Sequence, residues 1–375
     1  MKLSPFKLER FFARYEFNVR YVLCASDCET FSVRDLLALE PEAEARLLDL
    51  RLGYTESSGA PSLRQAIARL YTTMDPDEIL VHSGAEEAIF TFMVAVLRPG
   101  DHIIVHSPCY QSLAEVARGL GCQVSFWPAN ESQGWGLDPQ DLRRLIRPYT
   151  RAVVINVPHN PTGYLMPREV FDEIHRLTQK HGLILFSDEV YRELEYDPAQ
   201  RLPAACDVNP QAVSLGVMSK AYGLPGLRIG WVATHRQDLL QAMAVVKDYL
   251  TICNSAPAEV LAEVALKHRE VLLERNRAIL SQNLEYLSSF FQRYPERLSW
   301  VPPRAGSVAF PRLLEGDVEA FCEALVVKTG VLLAPGTLFD DMGNHFRLGL
   351  GRRNMPEALT LLEAFMEEWR TLPTL

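Results

Sequence analysis

Three polar residues, each set just beyond an apolar, β-branched run, stand in an order suited to covalent chemistry on an amine. Asn160 lies in the turn Pro158-His159-Asn160-Pro161-Thr162-Gly163, after Ala152-Val153-Val154-Ile155-Asn156-Val157. Asp188 closes Leu183-Ile184-Leu185-Phe186-Ser187, and Lys220 follows Val217-Met218-Ser219 in a loop that runs through Gly223 and Gly226 to Arg228. A buried strand that ends in a polar turn offers that turn's side chains at its carboxyl end, where α/β sheets bind ligands. Singly, each residue has an ordinary explanation: Asn before Pro favours a turn, Asp caps strand ends, and Lys is usually solvated. Together they supply what an aldehyde cofactor built on a pyridine ring requires. A lysine amine forms a Schiff base, a carboxylate holds the ring nitrogen protonated, and donors steady the ring's phenolic oxygen.

These motifs resemble those of the class I/II aminotransferases, which are fold-type I enzymes dependent on pyridoxal 5′-phosphate (PLP). The resemblance rests on Asn160-Pro161-Thr162-Gly163, on Ser187-Asp188-Glu189-Val190-Tyr191, and on the Ser219-Lys220 loop ending at Arg228. It implies that Lys220 carries the cofactor and moves the substrate's proton, and that Asp188 faces the pyridine nitrogen. It also implies that Asn160 and Tyr191 hold the phenolic oxygen.

A phosphate needs a cup of donors, and a helix N-terminus provides one. Ser83-Gly84-Ala85-Glu86-Glu87-Ala88-Ile89 follows an apolar run and opens a helical pattern, so the backbone amides of Gly84, Ala85 and Glu86 suit that task. By resemblance, Arg228 and the Ser219 hydroxyl complete the cup, and Tyr110 stacks on the cofactor ring. Tyr54, in Gly53-Tyr54-Thr55, matches the tyrosine that reaches the phosphate of a neighbouring subunit, which implies a homodimer with shared sites. Arg347, in His345-Phe346-Arg347-Leu348-Gly349, matches the arginine that binds the substrate carboxylate beside Asn160; Arg352 and Arg353 are expected to be solvated. Two positions depart from the family. Val217 stands where a Ser or Thr commonly contacts the phosphate, and Leu23-Cys24-Ala25-Ser26-Asp27 replaces a Gly-rich loop over the substrate.

The elements that must position these residues alternate. Helical stretches at 61–71, 85–97, 111–120, 138–146 and 167–181 separate apolar runs at 79–81, 102–106, 124–127, 152–157 and 183–186, followed by runs at 212–218 and 229–233. Continuous apolar strands alternating with helices predict an α/β fold with a mostly parallel seven-stranded sheet. After residue 235 the pattern turns helical, notably over 256–291. From 298 onward, short strands at 298–301, 307–310 and 345–350 with helices near 317–329 and 356–370 predict a smaller α+β domain. The expected division is an N-terminal segment, 1–45, joining the small domain; a large PLP-binding domain, 46–275; and the small C-terminal domain, 276–375.

At 375 residues, with 48% hydrophobic and 23% charged, the chain can build a sizeable core throughout. A net charge of −9 gives no basic footprint, so neither nucleic acid nor an anionic membrane is an expected partner. Seven scattered cysteines read as reduced thiols, and the absence of an apolar leader points to the cytoplasm. Cys24 and Cys28 lack a second pair at zinc spacing, and His102 with His106 lies on a strand-like run, so no metal site is expected. The resemblance implies transfer of an amino group between an amino acid and a 2-keto acid. PLP-dependent lyases, cyclising or eliminating synthases, and non-catalytic PLP-binding sensors use the same framework.

Overall fold

The computed structural model describes residues 1–369; the last residue of the expected helix 356–370, and the end of the chain, lie outside the described residues. Seven strands form one sheet: β1 (Ile79–His82), β2 (His102–Ser107), β3 (Gln123–Pro128), β4 (Thr150–Asn156), β5 (Ile184–Asp188), β6 (Ala212–Val217) and β7 (Gly230–Ala233). Their spatial order is β1-β7-β6-β5-β4-β2-β3, and only β7 runs antiparallel to its neighbours β1 and β6. The sheet is therefore mostly parallel, as the alternating pattern predicts.

Successive residues of a strand point to opposite faces, and the core divides accordingly. Val154, Ile184 and Phe186 pack into one apolar cluster, and Val153, Ile155 and Leu185 into the other. The helix Ala85–Val96 covers the first face, with Phe92 against Phe186 at a centroid distance of 4.4 Å. Arg168–Lys180 covers the second through Phe171, Ile174 and Leu177. Each fully buried side chain of this size stabilises the fold by roughly 1.5–3 kcal/mol. Both faces are thus closed, and the carboxyl ends of the strands are left as the place for polar groups.

The smaller α+β part carries a three-stranded sheet of Val308–Ala309, Ala334–Pro335 and Phe346–Gly349, backed by the helices Val318–Thr329 and Met355–Trp369. Its strands are shorter than the apolar runs suggest. The helical region over 256–291 is two helices, Ala256–Lys267 and Arg269–Arg293, parted at His268; the expected boundary at 275/276 falls inside the second. The N-terminal segment is drawn to the small sheet: Tyr21 bridges Val331, and Gly349 N–H donates to Leu23 O at 2.6 Å. Gly349 is needed for that approach, because a Cβ there would collide with the Ala25 carbonyl.

Candidate active site

Strand register brings the polar strand ends together. Asn156, the last residue of β4, sits opposite Asp188, the last of β5, and β6 runs beside β5 towards Lys220. Asn156 donates from Nδ2 to Asp188 O at 3.0 Å, while its Oδ1 accepts from Asn160 N–H at 2.6 Å, so one side chain ties the turn to the neighbouring strand. A cavity of about 400 Å³ opens at these ends. Asn160, Asp188, Tyr191, Ser219, Lys220, Arg228 and Arg347 line it, as do Tyr110, Ala85 and Glu86. The two remaining expected residues are not in the lining: Gly84 precedes Ala85 of the lining in the chain, and Tyr54 is 90% exposed.

Each side chain has a local cause for its placement. Gly84 caps the helix Ala85–Val96 with φ +87°, and a Cβ there would strike the Arg228 guanidinium. The glycine therefore lets the cation lie against the helix's N-terminal amides, a combination of donors suited to an anion. Val217 is buried and lines the cavity without a hydroxyl. Arg347 is only 1% exposed; it donates from Nε to Cys24 O at 3.1 Å and from Nη1 to Asn160 Oδ1 at 3.2 Å, and Nη2 is buried without a partner. Phe339 lies against the guanidinium, 5.1 Å from ring centroid to Cζ.

Burial governs the electrostatics. Asp188 accepts one hydrogen bond, from Val190 N–H at 3.3 Å, and desolvation pushes its carboxyl up to about 7. A cation facing it would lower that value again. Lys220 is held below the usual lysine range by burial, which favours the neutral amine; its Nζ donates to Ser26 Oγ at 2.9 Å. Glu86 is also pushed up to about 7 by burial, while Ser112 Oγ donates to it at 3.0 Å and Arg228 opposes the rise.

Because Glu86 and Asp188 bind protons in the fold that they release in the unfolded chain, the folded state holds more protons across that interval, and stability falls as pH rises from about 5 through about 7. Glu86→Gln is expected to remove part of this slope, raising the melting temperature of the cofactor-free protein by roughly 1–2 °C at about pH 8 relative to about pH 5. Parallel melting profiles for wild type and variant across that range would show that Glu86 does not titrate there.

Several lining residues belong to no recognisable motif. The segment 23–27, which departs from the family pattern, brings Ser26 to Lys220 and Asp27 to the cavity wall. Glu9, Phe12 and Glu16 come from the helix Lys7–Tyr15 and its end, and Tyr110 OH donates to Glu9 Oε1 at 3.0 Å. Arg352, expected to be solvated, instead pairs with Asp27 at 2.8 Å and donates to Cys28 O at 3.2 Å; the fold brings the 346–352 strand end against the 23–28 segment. Arg353 is exposed. His102 bonds Thr150 and Ser125, and His106 stacks on His159 at 3.8 Å.

The aminotransferase class I and II family pattern matches residues 21–364. Capreomycidine synthase from Streptomyces vinaceus is 31% identical over 367 residues, 97% of this chain and 93% of that protein. Among solved structures, a PLP-dependent aminotransferase from Streptococcus suis superposes with a TM-score of 0.93 at 32% identity, covering 98% of this chain and 99% of its own. The PLP-dependent cyclase OrfR superposes with a TM-score of 0.90 at 29% identity, covering 98% of each chain. A fold-type I architecture with polar groups gathered at the ends of a mostly parallel sheet defines a PLP-dependent enzyme. The chain belongs to the class I and II aminotransferase family. Among the described residues no helix is long and apolar enough to cross a membrane.

Proposed function

We propose that the protein transfers the amino group of an amino acid to a 2-keto acid. The observation that carries this reading is the convergence of Asn160, Asp188, Lys220 and a partnerless Arg347 Nη2 in one cavity. The donor set fits PLP: the Gly84–Glu86 amides, Ser219 and Arg228 suit its phosphate, Asp188 its ring nitrogen, and Asn160 with Tyr191 its phenolic oxygen. Tyr110 offers an aromatic surface beside the ring. Bound PLP supplies an aldehyde and an electron-accepting ring.

The chain's own groups do the rest. Lys220, held towards the neutral amine, is both the nucleophile that carries the cofactor and the base that takes the proton from the substrate's Cα. Asp188 would face the ring nitrogen, whose positive charge would favour the carboxylate, and Arg347 would grip the substrate carboxylate with a planar fork that Asn160 orients. Arg347→Ala is expected to raise the amino acid KM about ten- to a hundredfold and to leave the bound cofactor's spectrum unchanged, the effect of losing one charge-assisted pair. Unaltered kinetics would mean that another group binds the carboxylate.

A second reading, PLP-dependent cyclisation, is favoured by the likeness to capreomycidine synthase over 97% of the chain and to OrfR. Product analysis separates the two. Incubation of the purified holoenzyme with candidate amino acids and pyruvate should release a 2-keto acid and form alanine; a cyclic amino acid with no alanine would replace transfer by cyclisation.

The protein is also proposed to act as a homodimer. Leu52 (81% exposed), Tyr54 and Tyr249 (88% exposed) present apolar surface that a second copy would cover, carrying Tyr54 to the partner's phosphate cup. Light scattering that gives the single-chain mass of 42.3 kDa at micromolar concentration would contradict this.

A further inference from the structure

The N-terminal segment contributes Glu9, Glu16 and Asp27 to the cavity wall and no cationic side chain. The remaining charges of the lining have tasks in the proposed chemistry: Lys220 at the cofactor's aldehyde, Arg228 at its phosphate, Asp188 at its ring nitrogen and Arg347 at the substrate carboxylate. Glu86 lies beside the phosphate cup, bonded by Ser112. Three carboxylates are left over, and the part of the substrate not yet held is its side chain. Resting on the reading of this cavity as an amino-acid site, we propose that Glu9, Glu16 and Asp27 select substrates whose side chain ends in a cation, a guanidinium or an ammonium.

The acids alone would not make a site. The independent sign of a ligand is Arg347, 1% exposed and lining the same cavity with Nη2 unpartnered, which fixes where a carboxylate docks. The three acids are not equally free. Glu9 takes the Tyr110 hydroxyl at 3.0 Å, Asp27 is paired with Arg352 at 2.8 Å, and the Glu16 carboxylate has neither a hydrogen bond nor an ion pair among the described residues. Glu16 is therefore the principal acceptor. Burial, followed by Asp27 and Glu9, holds its carboxyl above the usual range, a cost that an arriving cation relieves.

The other side-chain classes fit worse. An acidic side chain would meet three like charges, and an apolar one would strip water from carboxylates without pairing them. A guanidinium offers five donors in a plane and can bridge two carboxylates at once.

The test is equilibrium binding to the holoenzyme, read as the change in cofactor absorbance on titration with L-arginine, L-lysine, L-citrulline, L-norleucine and L-glutamate. Citrulline matches arginine in shape without its charge, so the ratio of their dissociation constants isolates the cation. Arginine or lysine is expected to bind about tenfold or more tighter than its neutral counterpart, citrulline or norleucine, with glutamate weakest. Glu16→Gln should shrink the ratio severalfold, and Glu9→Gln/Glu16→Gln should bring it to about one, as should high salt in part. Equal affinity for arginine and citrulline in the wild type, or a ratio that Glu16→Gln leaves unchanged, overturns the proposal while the amino-acid reading stands. If no amino acid alters the spectrum, the reading of the cavity as an amino-acid site falls, and the side-chain proposal falls with it.

Discussion

Lys220→Ala is expected to lower turnover by more than about a thousandfold, because one side chain serves as both covalent anchor and base for the Cα proton. PLP should still bind, more weakly, since the amides at Gly84–Glu86, Arg228 and Asp188 remain in place. Two measurements distinguish loss of chemistry from loss of fold. Equilibrium dialysis of PLP should show retained binding, and an exogenous primary amine such as methylamine should restore part of the proton-transfer rate. The surroundings explain the choice of lysine: burial holds the amine below its usual range, and Ser26 Oγ accepts from Nζ at 2.9 Å. A variant that turns over at the wild-type rate would remove Lys220 from the chemistry.

Asp188→Asn is the second large effect. Asn is nearly isosteric and can keep the hydrogen bond to Val190 N–H through its carbonyl oxygen, but it carries no charge to hold the ring nitrogen protonated. Removing one preorganised electrostatic group of this kind costs about 10²–10³-fold in rate. Cofactor affinity should suffer less, because the phosphate cup is untouched. Single-turnover rates with Cα-deuterated and ordinary amino acid should reveal a slower proton-transfer step and a larger isotope effect wherever another step had masked it. Wild-type rates for the Asn variant would mean that Asp188 does not face the ring, and the grouping of Asn160, Asp188 and Lys220 in one reacting site would lose its purpose.

The sheet and its polar strand ends were legible because their signals are local. An apolar β-branched run that ends before Asn160 or at Asp188 announces both the strand and its polar end, and Gly84 before an acidic helical turn announces where the helix starts. Ser26, Glu9, Glu16 and Asp27 carry no comparable signal. Ser26 reaches Lys220 across 194 residues of chain, and it is brought there by the pairing of Tyr21 with Val331 and of Leu23 with Gly349. Such long-range docking depends on backbone approach rather than on a motif. The same docking catches Arg352 on Asp27, where the sequence suggested only a solvated cation. The break at His268 has no such signal, because apolar spacing continues across it.

The proposed chemistry requires a covalent bond between PLP and Lys220, and the most direct measurement is site mapping of that bond. Holoprotein reduced with sodium borohydride, digested and analysed by mass spectrometry should carry the pyridoxyl phosphate mass on the peptide containing Lys220 and on no other. Lys247 is fully shielded and bonded through Nζ to Ser57 O, so it is the natural internal control. Label on Lys247 or another lysine, or no label on a protein that has bound PLP, would contradict the assignment.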